Sequence, residues 1–400
     1  MSQIAIKART IITMEGERPA RGQALYAPLK KIDRGLILAN EGRIVAIGKE
    51  TNIQRPADCP IYDLGNCCLI PGVINCHTHL DLSFLAGKTK WGCGFTPWLE
   101  SMLPLLPRGQ IPIETLINAA EKAIDGMVHT GTRFVGDIAG SAQGVLEAIS
   151  LYAQNLALNV SHFCEWFGFD DHNFPTPWPS RIRDEIDNSD ILPKKCAPAG
   201  HALYSTSPRI LRYAHKYCQM HNLVFSFHLA ESPEETEFLT SGSGPLFELY
   251  REKVLPKDWR SPNMRPLTYA AHLKLLGPGS LAVHGTQLDP QEGQILALTG
   301  TPLCLCPRSN QNLGLNLPPI QEFIDENILL CLGTDGLTSN SDLDVCNEAL
   351  FLHERFNLPP ELLIRLLTVN AAAALGLKNA GQLKVGSPAS VCAIPKELFF

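Results

Sequence analysis

Eight short apolar runs recur between residues 71 and 336, and each is followed by a helical pattern or a polar loop. They are PGVINCH (71–77), TRFVGDI (132–138), LALNVSHFCEWF (156–167), ILPKKCAPAGH (191–201), LVFSFHLAE (223–231), SLAVHG (280–285), PLCLCP (302–307) and ILLCLGTDG (328–336). Runs this short, rich in Val, Ile, Leu and Cys, read as strands buried on both faces. Between them lie amphipathic segments such as 114–130, which Gly131 terminates, a helix near 142–154, and one that starts at Ser207-Pro208 and runs to His221. Ser accepts from free amides at a helix start and Pro fits the first turn. Strand–helix alternation repeated eight times predicts an α/β fold, a parallel (β/α)₈ TIM barrel, with the apolar segment 360–377 as its closing helix. The stretches 163–190 and 241–268 read as long loops over the active face.

The two ends of the chain have a different pattern. IAIKARTIITM, LILANEGRIVAIG and CPIYDLGNCCLIPG alternate as strands, and GQLKVGSPASVCAIP repeats that pattern near the other terminus. Sheets hide their edges by pairing, so both ends are expected to build one small β-sandwich. The boundaries drawn are 1–69 for its first part, 70–378 for the barrel and 379–400 for its second part.

In a parallel barrel the chemistry sits at the carboxyl ends of the strands. Strand 1 ends in His77-Thr78-His79, strand 5 in His228-Leu229-Ala230-Glu231, strand 6 in His284-Gly285 and strand 8 in Thr334-Asp335-Gly336. His77 and His79 stand two apart, so an extended backbone turns both rings to one side. Three imidazoles and a carboxylate on separate strand ends suit a divalent cation, with zinc and iron both compatible. His129, His162, His215, His221, His272 and His353 have no such register and read as surface or core histidines. A lone H-x-H or D-G carries little weight, but the four elements in barrel order are a joint pattern.

PGVINCHTHLDLS, HLAES, VHG, CPRSN and GTDG, in that order, resemble the amidohydrolase superfamily. The resemblance is to its cytosine-deaminase-like and nucleoside-deaminase-like branch, which includes S-adenosylhomocysteine, guanine and triazine aminohydrolases. It extends to the split sandwich and to a G-x-x-x-x-G-x-x-A segment from Gly381 to Ala389. It implies His77, His79, His228 and Asp335 as ligands of one divalent metal ion. Glu231 matches the proton-shuttling glutamate, and His284 the histidine beside the attacking water, with Asp335 sharing that catalytic role. His201 in AGHALYS matches a G-P-H-A-P-Y segment whose histidine faces the substrate, although Gly200 and Leu203 replace two prolines. Lys194 and Lys195 lie near the start of strand 4, on the other face, so no carboxylated lysine and no second metal are expected.

The implied reaction is hydrolytic deamination of an aminated heterocycle. A divalent metal lowers the pKa of bound water from about 15.7 to roughly 7. Glu231 would protonate the ring nitrogen next to the attacked carbon and then the departing amine. A chlorohydrolase of the same branch and a non-catalytic scaffold member are the alternatives. Trp91, Phe95 and Trp98 can stack on a flat ring, and Glu165, Arg308 and Asn310 are further candidate substrate contacts. Nucleoside-deaminating relatives carry an acidic residue shortly after this aromatic segment to grip ribose. Here MLPLLPRGQ (102–110) offers none, which weighs against an adenosine-type substrate.

The remaining composition mainly excludes. A net charge of -6 offers no nucleic-acid footprint. No apolar stretch is long enough to span a bilayer. The N-terminus has no apolar core of a secretory leader, and 13 scattered cysteines read as reduced thiols. The expectation is a cytoplasmic enzyme, a homo-oligomer in the manner of its relatives, acting on a small heterocyclic amine.

Overall fold

A computed structural model describes residues 3–106, 111–140, 144–169 and 176–394. Arg108 and the first residues of the helix expected near 142 lie outside the described residues.

Strands β1 (Ile4–Ile12), β2 (Lys31–Asn40), β3 (Arg43–Lys49), β4 (Ile61–Asp63) and β5 (Cys68–Pro71) belong to one six-stranded sheet. All eight expected central strands are present: β6 (Val73–Thr78), β7 (Thr132–Ala139), β8 (Asn159–Trp166), β9 (Cys196–Gly200), β10 (Phe225–Leu229), β11 (Ser280–His284), β12 (Leu303–Leu305) and β13 (Leu330–Leu332). The last strand, β14 (Val391–Ile394), returns to the first sheet and pairs antiparallel with β5. The order is β14-β5-β1-β2-β3, with β4 beside β1, so the two ends of the chain do pair, but in one six-stranded sheet where a sandwich was expected.

The central strands form two four-stranded parallel sheets, β6-β7-β8-β9 and β10-β11-β12-β13. Two seams join them. His228 N–H donates to His201 O (2.9 Å), linking β10 to the end of β9. The amides of Thr334 and Asp335 both donate to His77 O (3.0 Å each), linking the exit of β13 to β6. Asn75 strengthens the second seam through its side chain: its amide donates to Thr334 Oγ1 (2.7 Å) and its carbonyl accepts Thr334 N–H (3.1 Å). Gly333 makes this approach feasible, because a Cβ there would lie 2.8 Å from His77 Cβ and from Cys304 Sγ. Helices pack outside, and one apolar core runs between them and the strands.

Three stretches depart from expectation. Residues 360–377 are two helices, Pro360–Leu367 and Val369–Ala374, broken at Thr368. The chain returning to the terminal sheet crosses there: a Cβ on Gly381 would sit 2.8 Å from the Thr368 carbonyl. The stretch 241–268 is not loop throughout, since Pro245–Arg251 is helical and a second helix, Pro266–His272, begins inside it. Within 163–190, Ser180–Asp187 is likewise a helix. Its apolar residues Ile182 and Ile186 are buried on one face, a period that the surrounding Pro and charge obscure. Among the described residues no helix is long and apolar enough to cross a membrane.

Candidate active site

Side chains that are distant in sequence meet where the central strands end. His77 lies in β6 and His79 follows it, and their rings are 5.1 Å apart between centroids. The His228 ring, from β10, lies 4.9 Å from that of His77. Asp335 turns one oxygen, Oδ1, toward the pair, 3.7 Å from His77 Nε2 and 3.3 Å from His79 Nε2. His284, the last residue of β11, stacks 5.5 Å from His228. Glu231 completes the group, with Oε1 3.6 Å from His284 Nε2.

The backbone is bent to achieve this. Ala230, His284 and Asp335 all have positive φ (51°, 78° and 59°), a region that non-glycine residues seldom enter. Such strain persists only where the surroundings hold it, and here they do. Glu235 accepts the amides of Ala230 (3.1 Å) and Glu231 (2.8 Å), while Thr286 donates to Glu231 O (2.6 Å). Thr78 donates to Asp335 O (2.9 Å). Asp137 Oδ1 accepts the amide of Leu80, next to His79 (2.9 Å). Its other oxygen meets His162 Nδ1 (2.8 Å), whose Nε2 meets Ser150 Oγ (2.8 Å), so this buried relay supports the β6 exit.

The donor set can be tested for a cation. Both ring nitrogens of His77 and Nε2 of His284 are buried and lack any hydrogen-bond partner. Unpaired buried polar atoms are costly, so such a concentration calls for a missing partner. His228 Nδ1–H donates to His201 O (2.7 Å), which fixes the tautomer and leaves Nε2 free as a ligand. Ligand atoms of His77, His79 and Asp335 lie within 4.8 Å of one another, as do those of His77, His228 and His284. The residues therefore fit a divalent metal.

Burial dominates the electrostatics. It keeps His284 and His201 neutral, each lowered to about 3, and drives His228 well below its usual value. Burial, followed by the charge of Asp335, raises the Glu231 carboxyl well above the usual range, so it can hold a proton. Burial would raise Asp335 as well, but the His77 ring 3.7 Å away and the neighbouring imidazoles hold it ionised, well below its ordinary value. A cavity of about 390 Å³ opens onto these groups.

The substrate contacts expected from sequence divide into two sets. Trp98, Glu165 and His201 line the cavity, with Phe95 beside Trp98. Arg308 and Asn310 do not line it. Arg308 is held behind the site by the partly exposed Asp342 (2.8 Å) and the buried Glu348 (3.4 Å). Asn310 Nδ2 lies 3.2 Å from His284 Nδ1 and supports that ring. Trp91 also stands outside the lining, with its indole N–H on Thr338 O (2.9 Å). Ser309 and Ser339 were not anticipated: each places its hydroxyl on Asp335 Oδ2, at 2.7 and 2.8 Å. The only hint was the position of Ser309 within CPRSN.

A model of the amidohydrolase family matches residues 68–399. The chain belongs to the amidohydrolase family. Over 391 residues it is 28% identical to a 5-methylthioadenosine/S-adenosylhomocysteine deaminase of Pyrococcus furiosus, covering 93% of this chain and 85% of the relative. A protein of the same name from Nitratidesulfovibrio vulgaris is 25% identical over 406 residues, covering 97% and 83%. Among solved structures, this amidohydrolase shares the fold of Helicobacter pylori aminofutalosine deaminase in complex with methylthio-coformycin. The TM-score is 0.78 at 21% identity, over 98% of this chain and 94% of that one. Atrazine chlorohydrolase from Arthrobacter aurescens, complexed with zinc, gives a TM-score of 0.75 at 19% identity over 97% and 86%.

Proposed function

We propose that this amidohydrolase is a metal-dependent hydrolytic deaminase of a purine-type amine, releasing ammonia. The observation that carries the reading is the convergence of His77, His79, His228 and Asp335, with unpaired imidazole nitrogens, beside a proton-holding Glu231 in an open cavity. Those four residues would hold one divalent cation, and the zinc-bound structures of related fold favour zinc. When bound, the cation makes water nucleophilic at neutral pH. In the loaded site His284, neutral and propped by Asn310, would orient the attacking water from one side, and the ionised Asp335 would accept its proton from the other. Glu231 donates its proton to the ring nitrogen next to the attacked carbon, making that carbon electrophilic. The carboxylate so formed would collect the hydroxyl proton of the tetrahedral adduct as the carbonyl forms and deliver it to the departing amine, and the proton held by Asp335 would then restore protonated Glu231.

Relatives named for adenosine derivatives shift the substrate reading. The missing acid in 102–110 weighed against such substrates, whereas the 25–28% identical relatives carry deaminase names of that class. We read the two half-sheets, hydrogen-bonded at both seams, as one closed eight-stranded barrel. Residues 1–69 and 379–400 are then its appended sheet module around 70–378. Thirteen cysteines, all unpaired, fit a reducing cytoplasm.

The test is a metal-replete preparation screened against adenine nucleosides, free purines, pterins and chlorinated triazines, with ammonia and chloride both measured. Ammonia from an adenine compound is expected. Chloride alone, or no product from a fully zinc-loaded protein, would overturn the reading.

A further inference from the structure

Among the described residues four carboxylates line the cavity: Asp81, Glu165, Glu231 and Asp335. Glu231 and Asp335 serve the metal pole, and Asp81 accepts the Gly140 amide (3.1 Å). Glu165, near the end of β8, differs from these, because its Oε1 is buried and has no hydrogen-bond partner. The donors around it are spent elsewhere. Arg181 directs Nε to Gly140 O and Nη2 to the backbone carbonyl of Glu165 (2.6 Å). His201 Nδ1 pairs with Ser205 Oγ (2.5 Å), and His228 Nδ1–H donates to His201 O (2.7 Å). A buried acceptor without a donor must obtain one from the ligand, or its desolvation is uncompensated.

The side chains of the pole divide into two sides. Glu231, His284 and Asp335 bring ligand atoms within 4.8 Å of one another, on the side where the attacking water is oriented. Glu165 groups at the same distance with His201 and His228, and with none of His77, His79 and Asp335. It therefore borders the metal pole without joining the ligand set. Water that adds from the side of His284 and Asp335 turns the substituent of the attacked carbon to the other side, toward Glu165, as that carbon becomes tetrahedral. An amine in this position offers N–H. A chloride or an ether oxygen offers only lone pairs, which an acceptor-only carboxylate repels. The fold leaves the choice open, since it is shared with both an aminofutalosine deaminase and an atrazine chlorohydrolase.

We propose that Glu165 is the specificity-determining residue for the leaving group: it accepts N–H from the amine on the attacked carbon, so that the site expels ammonia in preference to chloride or an alkoxide. This rests on the deaminase reading and names the side chain that sets it apart from chloride expulsion. Glu165 accepts a hydrogen bond and takes no proton, and the transfers remain with Glu231 and Asp335.

The experiment measures kcat/KM for adenosine against 6-chloropurine riboside, and for adenine against 6-chloropurine, with zinc-loaded wild type, Glu165→Gln and Glu165→Leu. The two members of each pair give the same oxo product, so they differ only in the group expelled. A charge-assisted hydrogen bond to a buried group contributes about 10–100-fold. The amine-to-chloride ratio should fall by about that factor in Glu165→Leu. It should fall by less in Glu165→Gln, whose amide oxygen still accepts but carries no charge. Chloride release should hold or rise while ammonia release drops, which a merely structural defect would not produce. The ratio within one preparation is independent of how much protein is folded or metal-loaded, so a poorly folding variant still reports. A ratio within about threefold of wild type in both variants overturns the Glu165 assignment and leaves the deaminase reading standing. No ammonia from any adenine compound overturns both.

Discussion

Replacing Glu231 with Gln separates proton transfer from metal binding. The change is isosteric, and the segment around it is held by contacts that it does not touch: Glu235 accepts the amides of residues 230 and 231, and Thr286 donates to the carbonyl of 231. What disappears is a carboxyl that burial and Asp335 keep protonated above the usual range, 3.6 Å from His284 Nε2. A positioned general acid/base contributes ~10²–10⁴-fold. At 1.36 kcal/mol per decade this corresponds to about 2.7–5.4 kcal/mol of transition-state stabilisation. The variant should lose that factor in kcat, with KM changed little, because the group acts on protons in flight more than on ground-state binding. The assay is steady-state ammonia release, with zinc content measured on the same sample. A kcat within about threefold of wild type at equal zinc removes Glu231 from the proton path. Because its carboxylate also lies within 4.8 Å of ligand atoms of His284 and Asp335, loss of zinc with loss of activity would recast it as a ligand.

Other outcomes follow from neighbouring contacts. His228→Ala should fall below a tenth of wild-type zinc occupancy after dialysis, while Glu231→Gln keeps its metal; equal occupancy would remove His228 from the ligand set. Ser309→Ala combined with Ser339→Ala frees Asp335 Oδ2, and at about 1–3 kcal/mol for donors to a charged group zinc should dissociate roughly 10–100-fold faster. An unchanged rate, read with a chromophoric chelator, would make the hydroxyls bystanders. Burial raises Glu165 from the usual carboxylate range to about 7 in the folded chain, so the folded state holds more protons between about 4.5 and 7. Its contribution to stability is full below about 4.5 and is lost as pH rises through 7, amounting to up to about 3 kcal/mol. Thermal midpoints of Glu165→Gln should accordingly decline less between pH 5 and 8 than those of wild type; parallel curves would refute the shift.

The eight central strands were legible because their apolar runs are short, bounded and separated by helical period. The break at Thr368 was not, since VNAAAAL has the composition of a continuous helix and only the crossing of Gly381 interrupts it. Arg308 shows the same limit. A cation one turn after an active-site strand reads equally as a substrate contact or as a counter-ion, and the buried Glu348, forty residues on, decides for the latter.

Residue types at strand ends, in barrel order, were enough to nominate a histidine–aspartate metal site, because strand period and metal chemistry are both local, and the family resemblance added the roles proposed for His77, His79, His228, Asp335 and Glu231. What required the third dimension was the partner of each group. The two serines on Asp335, the Asp137–His162–Ser150 relay behind His79 and the unpaired oxygen of Glu165 are contacts between elements far apart along the chain. Periodicity cannot encode such contacts, since they depend on where separate strands end up relative to one another.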